Sequence, residues 1–368
     1  MKKCCGLVAV FGVLTMGLAF ARAQTREPSV VKFDPALDAL VSVDAQVITV
    51  TKGPGFKAGE LRPGAGSYGF TEGLVWFQQG TTGYLLFSDI PANTVYKMTP
   101  DGKVSVFVEQ SGYRGPWDGY TMTYVGHDNN NGKDPKDPLY RTFNQIGSDG
   151  LGLDPQGRLV ICAFPGRSVD RIEKDGKRVV LADRVDGKRL NGPNDLTIKK
   201  NGTIYFSDTF SWRLRDKDPT VEMHSVAVYM IKDGKVSAVT TDISGPNGVA
   251  LSADEKILYA TAPGATIRAY DVQPDDTLAN SRLFIDMSSD KSGRGGPDGM
   301  RTDSKGNVYS SGPGGVWIMS PAGKHLGTIR VPEGFASFAF GDADFKTLYI
   351  GGRTTIYKIP MKVEGRHF

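Results

Sequence analysis

Six segments of the chain open in the same way: Glu72-Gly-Leu-Val-Trp76, Asp149-Gly-Leu-Gly-Leu153, Asn194-Asp-Leu-Thr-Ile198, Asn247-Gly-Val-Ala-Leu251, Asp298-Gly-Met-Arg-Thr302 and, more weakly, Ala336-Ser-Phe-Ala-Phe340. Five of the six leading positions carry a carboxylate or an amide. Such side chains are poor strand formers and costly to bury unpaired, so their return at one phase of a repeat asks for a shared partner. The donors are all oxygens, and the four His stand scattered at 127, 224, 325 and 367. That donor set suits a hard dication: calcium first, magnesium or manganese next, with zinc the least favoured alternative. Glu72 and Asp298 would bring two negative charges, and Asn194 and Asn247 neutral carbonyls. Asp149, facing the same point, would be a third carboxylate that resists ionising or accepts a proton. Taken singly, an Asn-Gly or Asp-Gly pair reads as an ordinary turn, and it is the shared phase that favours a ligand.

These residues need a scaffold that brings distant parts of the chain to one point. Each leading segment is followed by a tight polar turn such as Asp154-Pro-Gln-Gly157, Lys200-Asn-Gly202 or Ser304-Lys-Gly306. Next comes a strand such as Thr203-Ile-Tyr-Phe206, Ile257-Leu-Tyr-Ala260, Asn307-Val-Tyr-Ser310 or Thr347-Leu-Tyr-Ile350. Third strands carry Val95-Tyr-Lys97, Val169-Asp-Arg-Ile172, Val228-Tyr-Met230 and Ile356-Tyr-Lys358. The starts are 77, 45, 53, 51 and 38 residues apart. Apart from the first gap, which holds an insertion over about 110–147, this matches the roughly 40–50 residues of a four-stranded propeller blade. The pattern predicts an all-β, six-bladed β-propeller over 44–362, with a β-sandwich as the alternative. The last repeat is short of one strand, so Ala45-Gln-Val-Ile-Thr-Val50 is expected to close the ring. Residues 24–43 read as an irregular lead and 363–368 as a C-terminal tail. In the insertion, His127–Asp137 resembles a calcium loop, but its Gly comes one place early for an EF-hand, which favours a solvated loop.

The 368 residues are 39% hydrophobic and 23% charged, enough apolar material for a large core. With 44 Lys and Arg against 40 Asp and Glu, the charge is too small and too mixed to track phosphates, so nucleic acid is not an expected partner. Lys2 and Lys3 precede an apolar run from Leu7 to Phe20, and Ala21-Arg22-Ala23 has the small residues of a cleavage site. Residues 1–23 thus read as a signal peptide, predicting an exported, periplasmic or secreted protein with no membrane partner after cleavage. Of the three Cys only Cys162 then remains, so no internal disulfide is possible, and Cys162 in Leu159-Val-Ile-Cys162 reads as a small buried hydrophobe. A closed ring leaves no sticky edge, so a monomer is expected.

Phe70-Thr-Glu-Gly-Leu-Val-Trp76, Leu190-Asn-Gly-Pro-Asn-Asp195, Gly245-Pro-Asn-Gly-Val249 and Gly296-Pro-Asp-Gly-Met300 resemble, in this order, the blade motifs of the gluconolactonase and regucalcin (senescence marker protein) family. The resemblance runs from about residue 44 to 362. It implies a six-bladed calcium-dependent propeller, commonly a lactonase, with Glu72, Asn247 and Asp298 at metal-ligand positions. Asn194 matches a position that binds metal or substrate there and in the more distantly similar paraoxonases and phosphotriesterase-like propellers. The chain departs from the family in having Asp149 where relatives often have Asn, and Phe206-Ser-Asp-Thr209 where they have Phe-Thr-Asp-Pro. Phe164-Pro-Gly-Arg167 lacks a His often seen nearby.

The chemistry expected is hydrolysis of a sugar lactone or related cyclic ester, with the cation polarising the carbonyl and a carboxylate taking the proton of the attacking water. The resemblance favours Asp298 as base, with Asp149 as the alternate. Asp195 and Asp208 are candidates for binding substrate hydroxyls, Asp208 equally for a structural role. Arg167 and Arg294 are candidates for contacting a polyol or sugar acid, or are surface arginines. No Gly-x-Ser-x-Gly elbow or phosphate loop occurs. Two alternatives stand beside the lactonase: a non-catalytic periplasmic binding propeller with a structural cation, and a phosphotriesterase- or arylesterase-like hydrolase.

Overall fold

A computed structural model describes residues 27–53, 69–115, 146–209, 220–293 and 295–367. The signal segment 1–23, the His127–Asp137 loop and Arg294 lie outside the described residues.

Each leading segment starts the inner strand of a four-stranded antiparallel sheet, and each polar turn becomes the hairpin to the second strand. The inner strands are Thr71–Gln79, Leu151–Leu153, Pro193–Ile198, Val249–Leu251, Met300–Thr302 and Phe335–Gly341. Each touches the inner strands of the sheets before and after it, so six blades close into a ring, a β-propeller, around a channel. The aromatic of the second strand does the packing: Tyr205, Tyr259, Tyr309 and Tyr349 are fully buried. Tyr205, for example, packs with Val249, Leu251 and Leu258 of the next blade. Burying one such ring is worth about 2–3 kcal/mol, and only the neighbouring sheet makes that burial possible.

Blade six is completed as expected from the N-terminus. The strand Ile48–Lys52 pairs antiparallel with Thr355–Pro360, Ile48 opposite Lys358 and Lys52 opposite Thr355. Deleting residues 44–50 is therefore expected to broaden or split the thermal transition and lower it by at least about 10 °C; scanning calorimetry that finds an unchanged transition excludes this closure.

The lead at 24–43, expected to be irregular, is partly regular. Val30–Lys32 pairs with His325–Ile329 as a fifth strand on blade five. After it, Asp34 caps the short 3-10 turn Pro35–Ala39, accepting from the Ala36 N–H, and Leu37, Leu40 and Val41 are buried. The C-terminal residues are likewise not a loose tail. The Arg366 N–H donates to Thr302 O, Gly365 bridges to Asp303, and the Arg366 guanidinium reaches Ile198 O and Glu255. The segment thus crosses the end of the ring opposite the leading residues. At the insertion the two described ends meet, with the Tyr113 N–H donating to Ile146 O.

Candidate active site

The leading residues of the first five blades stand at one end of the channel. Glu72, Asp149, Asp195 and Asp298 lie close enough to act on one another electrostatically although they come from four blades. Hydroxyls at the ends of the second strands hold the backbone of this ring. Ser88 Oγ donates to Asp149 O (2.9 Å) and Ser207 Oγ to Asn247 O (2.5 Å), each reaching into the next blade. The N–H groups of Asn247, Asp298 and Asp195 donate to Thr261 Oγ1, Ser311 Oγ and Ser207 Oγ. In blade six Ser337 Oγ accepts from the Leu74 N–H instead of offering a donor to the ring.

The glycines that follow Glu72 and Asn247 are set by a close approach between blades. A Cβ at Gly73, whose φ is +57°, would lie 2.0 Å from Asp149 O, and one at Gly248 would lie 1.8 Å from Asp298 O. The missing side chain lets the first and fourth inner strands press against the leading residue of the next blade. Gly248→Ala is therefore expected to cost at least about 3 kcal/mol by denaturant titration, because backbone rather than a movable side chain must give way.

Hydrogen bonds orient the two amides. Asn194 Nδ2 donates to Asp149 Oδ2 at 2.7 Å, and the Asn247 side chain bonds to the Asp298 carboxylate. Each amide turns its NH2 toward its acid, whose oxygen can accept there in either protonation state. The other end of Asn194, its Oδ1, is buried with no hydrogen-bond partner among the described residues. Leaving a buried acceptor unmatched costs about 1–3 kcal/mol, and a cation in the channel removes that cost.

The carboxylates are held above their ordinary range. Burial raises Glu72 first, then Asp149, Asp298 and Asp195, against the opposing Gly73 N–H. Burial and then Asp298 and Asp195 raise Asp149. Asp298 is pushed up to about 7 by burial and Asp195, with Asn247 opposing. Without a counter-ion the ring therefore keeps protons that a dication would displace. Among the described residues no three His, Cys, Asp or Glu side chains gather tightly enough to hold an ion by themselves, so the amide oxygens are needed to complete a donor set.

The other candidates take different places. Asp195 is buried beside the ring, but its oxygens accept from the Leu196 and Val249 N–H groups, tying blade three to blade four. Asp208 is fully buried and spends both oxygens on the Asn191 and Gly192 N–H groups, shaping the loop into the third inner strand. Each Asp208 oxygen is thereby engaged by a backbone N–H, in keeping with the structural role that stood beside the substrate-binding one. Arg167 is buried, not a solvated surface arginine, and donates to Leu190 O (2.6 Å) and Thr220 O (3.0 Å), which fixes loops beside blade three. Cys162 is fully buried, as expected.

Sequence reasoning missed the second-strand hydroxyls and Arg301. The hydroxyls had a signal, since Ser-Asp follows Phe at both Phe87 and Phe206. Arg301 lies three residues below Asp298 and is buried in the channel. Its Nη1 donates to Met300 O and its Nη2 to Leu74 O at 2.8 Å. Its counterparts, set by pairing with the second-strand tyrosines, are Thr197, Ala250 and Ala339.

A closed six-bladed ring with oxygen donors converging at one channel mouth defines a propeller hydrolase or binding protein of a recognisable class. The chain belongs to the SMP-30/Gluconolactonase/LRE-like region family, which matches residues 70–354. It is 29% identical over 347 residues to the gluconolactonase of Zymomonas mobilis subsp. mobilis, covering 91% of this chain and 87% of that protein. Among solved structures, the gluconolactonase XC5397 from Xanthomonas campestris superposes with a TM-score of 0.69 at 26% identity, covering 92% of this chain and 96% of that one. Regucalcin from Agrobacterium tumefaciens, described as a calcium-binding protein, superposes at 0.60 with 17% identity over 87% of this chain and 97% of that one, a likeness of fold.

Proposed function

We propose that this lactone hydrolase opens a sugar lactone on a divalent cation, calcium before magnesium or manganese, held by Glu72, Asn194, Asn247 and Asp298. The observation that carries the proposal is the buried, unmatched Oδ1 of Asn194 beside three carboxylates whose burial leaves them short of positive charge. Hard oxygen donors favour calcium, and one propeller of the same fold is described as calcium-binding. Bound there, a dication supplies Lewis acidity to the lactone carbonyl and offsets the charge that develops on its oxygen.

The chain's own groups do the rest. Asn247 and Asp149 hold Asp298 and Asn194 in place, so the donors are fixed before substrate arrives. Asp298, with Asp149 the alternate base, takes a proton from water as the water oxygen bonds to the carbonyl carbon. The ring C–O bond then breaks and the proton passes to the leaving alkoxide, giving the hydroxy acid. We further propose that the protein works as a monomer after export.

A panel of five- and six-membered sugar lactones, assayed with calcium and with chelator, tests this reading. Hydrolysis that disappears in chelator and returns with calcium is expected. Tight calcium binding with only the background rate would instead assign a non-catalytic binding propeller, and turnover of aryl esters or phosphotriesters alone would assign the third alternative.

A further inference from the structure

Four carboxylates gather at this end of the channel, and among the described residues Arg301 is a buried cation on which two of them act. Arg301 is 8% exposed, and its guanidinium hydrogen-bonds carbonyls rather than carboxylates, with Nε lacking a hydrogen-bond partner among the described residues. Asp195 and Glu72 nevertheless act on it electrostatically and offset the cost of its burial. The two carbonyls it joins belong to blades five and one, which are not neighbours, so the side chain spans the channel past blade six. It has room because its counterparts are small. Below it, Thr197, Ala250, Ala339 and Phe345 line a cavity of about 20 Å³, space for one water. A buried guanidinium bonded only to carbonyls still needs negative charge nearby, and Asp195 and Glu72 supply it.

We propose that Arg301 is a resident counter-cation of the carboxylate ring: it keeps the ion-free channel folded and, as a fixed positive charge in the same channel, weakens the ring's hold on a divalent ion. The proposal rests on the reading of the ring as a divalent-cation site. A fixed positive charge in the same buried cluster repels an incoming dication, so removing it tightens binding, whereas loss of a purely structural clamp loosens it. The two roles therefore differ in sign.

The experiment titrates calcium by calorimetry into chelator-treated wild type, Arg301→Gln, Arg301→Met and Arg301→Lys, and melts each in chelator and in saturating calcium. Gln keeps a donor for the carbonyls without charge, Met removes both, and Lys keeps the charge. Both neutral variants are expected to lower the calcium Kd at least about tenfold, and Lys to leave it within about threefold. In chelator the neutral variants are expected to melt at least about 5 °C below wild type, and in calcium to recover more than half of that loss, as linkage requires of a tighter site. If one neutral variant folds only with calcium, the Kd of the other decides. An unchanged or higher Kd, or equal losses of melting temperature in both buffers, overturns it. Should wild type itself bind no calcium, the metal reading falls, and this inference falls with it.

Discussion

Glu72→Gln is expected to lower kcat/KM for a sugar lactone at least about a thousandfold while leaving the fold intact. Gln is isosteric, so the contacts of this buried side chain survive, but one of the negative charges available to a dication is gone. Loss of a polarising group typically costs a hundred- to a thousandfold in rate, and weakened ion binding adds to it. Stability should move the other way. Glu72 is held well above the ordinary carboxylate range by burial and by Asp149, Asp298 and Asp195, so in chelator near pH 8 the neutral variant is expected to melt at or above wild type. Lactonase kinetics with circular dichroism melts check both halves. A variant that is inactive and also unstable in chelator would make Glu72 a structural residue, not a ligand.

Chelated protein is expected to gain stability as the pH falls from 8 toward 5, against the usual acid response. The ring carboxylates have raised folded-state pKa values, Asp298 about 7. Between the unfolded value near 3.9 and that folded value the native state binds more protons than the unfolded chain. Stability from these groups is therefore fully present below the unfolded pKa and is lost as pH rises through the folded one. Asp89, raised to about 8, and Asp208, raised to about 7, contribute with the same sign whether or not calcium is present. The ring is isolated by the difference between chelated and calcium-loaded protein. That difference is expected to widen from pH 5 to pH 8, with the chelated melting temperature falling several degrees further than the loaded one. Calcium binding near pH 7 should also release protons, seen as a buffer-dependent heat. Parallel curves in the two buffers would mean that no ion replaces those protons.

The organisation of this propeller was legible because its causes are local and repeat. The Gly turn, the buried tyrosine and the leading polar residue recur with each blade, and the missing strand at 335–360 pointed to 45–50, close to the Ile48–Lys52 that fills it. The strand at Val30–Lys32 was not legible. Three residues carry no periodicity, and only the exposed edge at His325–Ile329 gives them a partner.

By itself the sequence determined the blade count, the ring order and the set of residues that lead each blade, because strand period and turn chemistry act over a few neighbouring positions. Which of several aspartates faces the channel was decided by the tertiary structure alone. Asp149 and Asp298 receive amides from other blades, Asp195 and Asp208 are consumed by backbone N–H groups, and Arg301 joins blades that are not neighbours. The role of a buried charge is set by what lies across the channel from it, and closure of the ring brings those groups together from hundreds of residues apart.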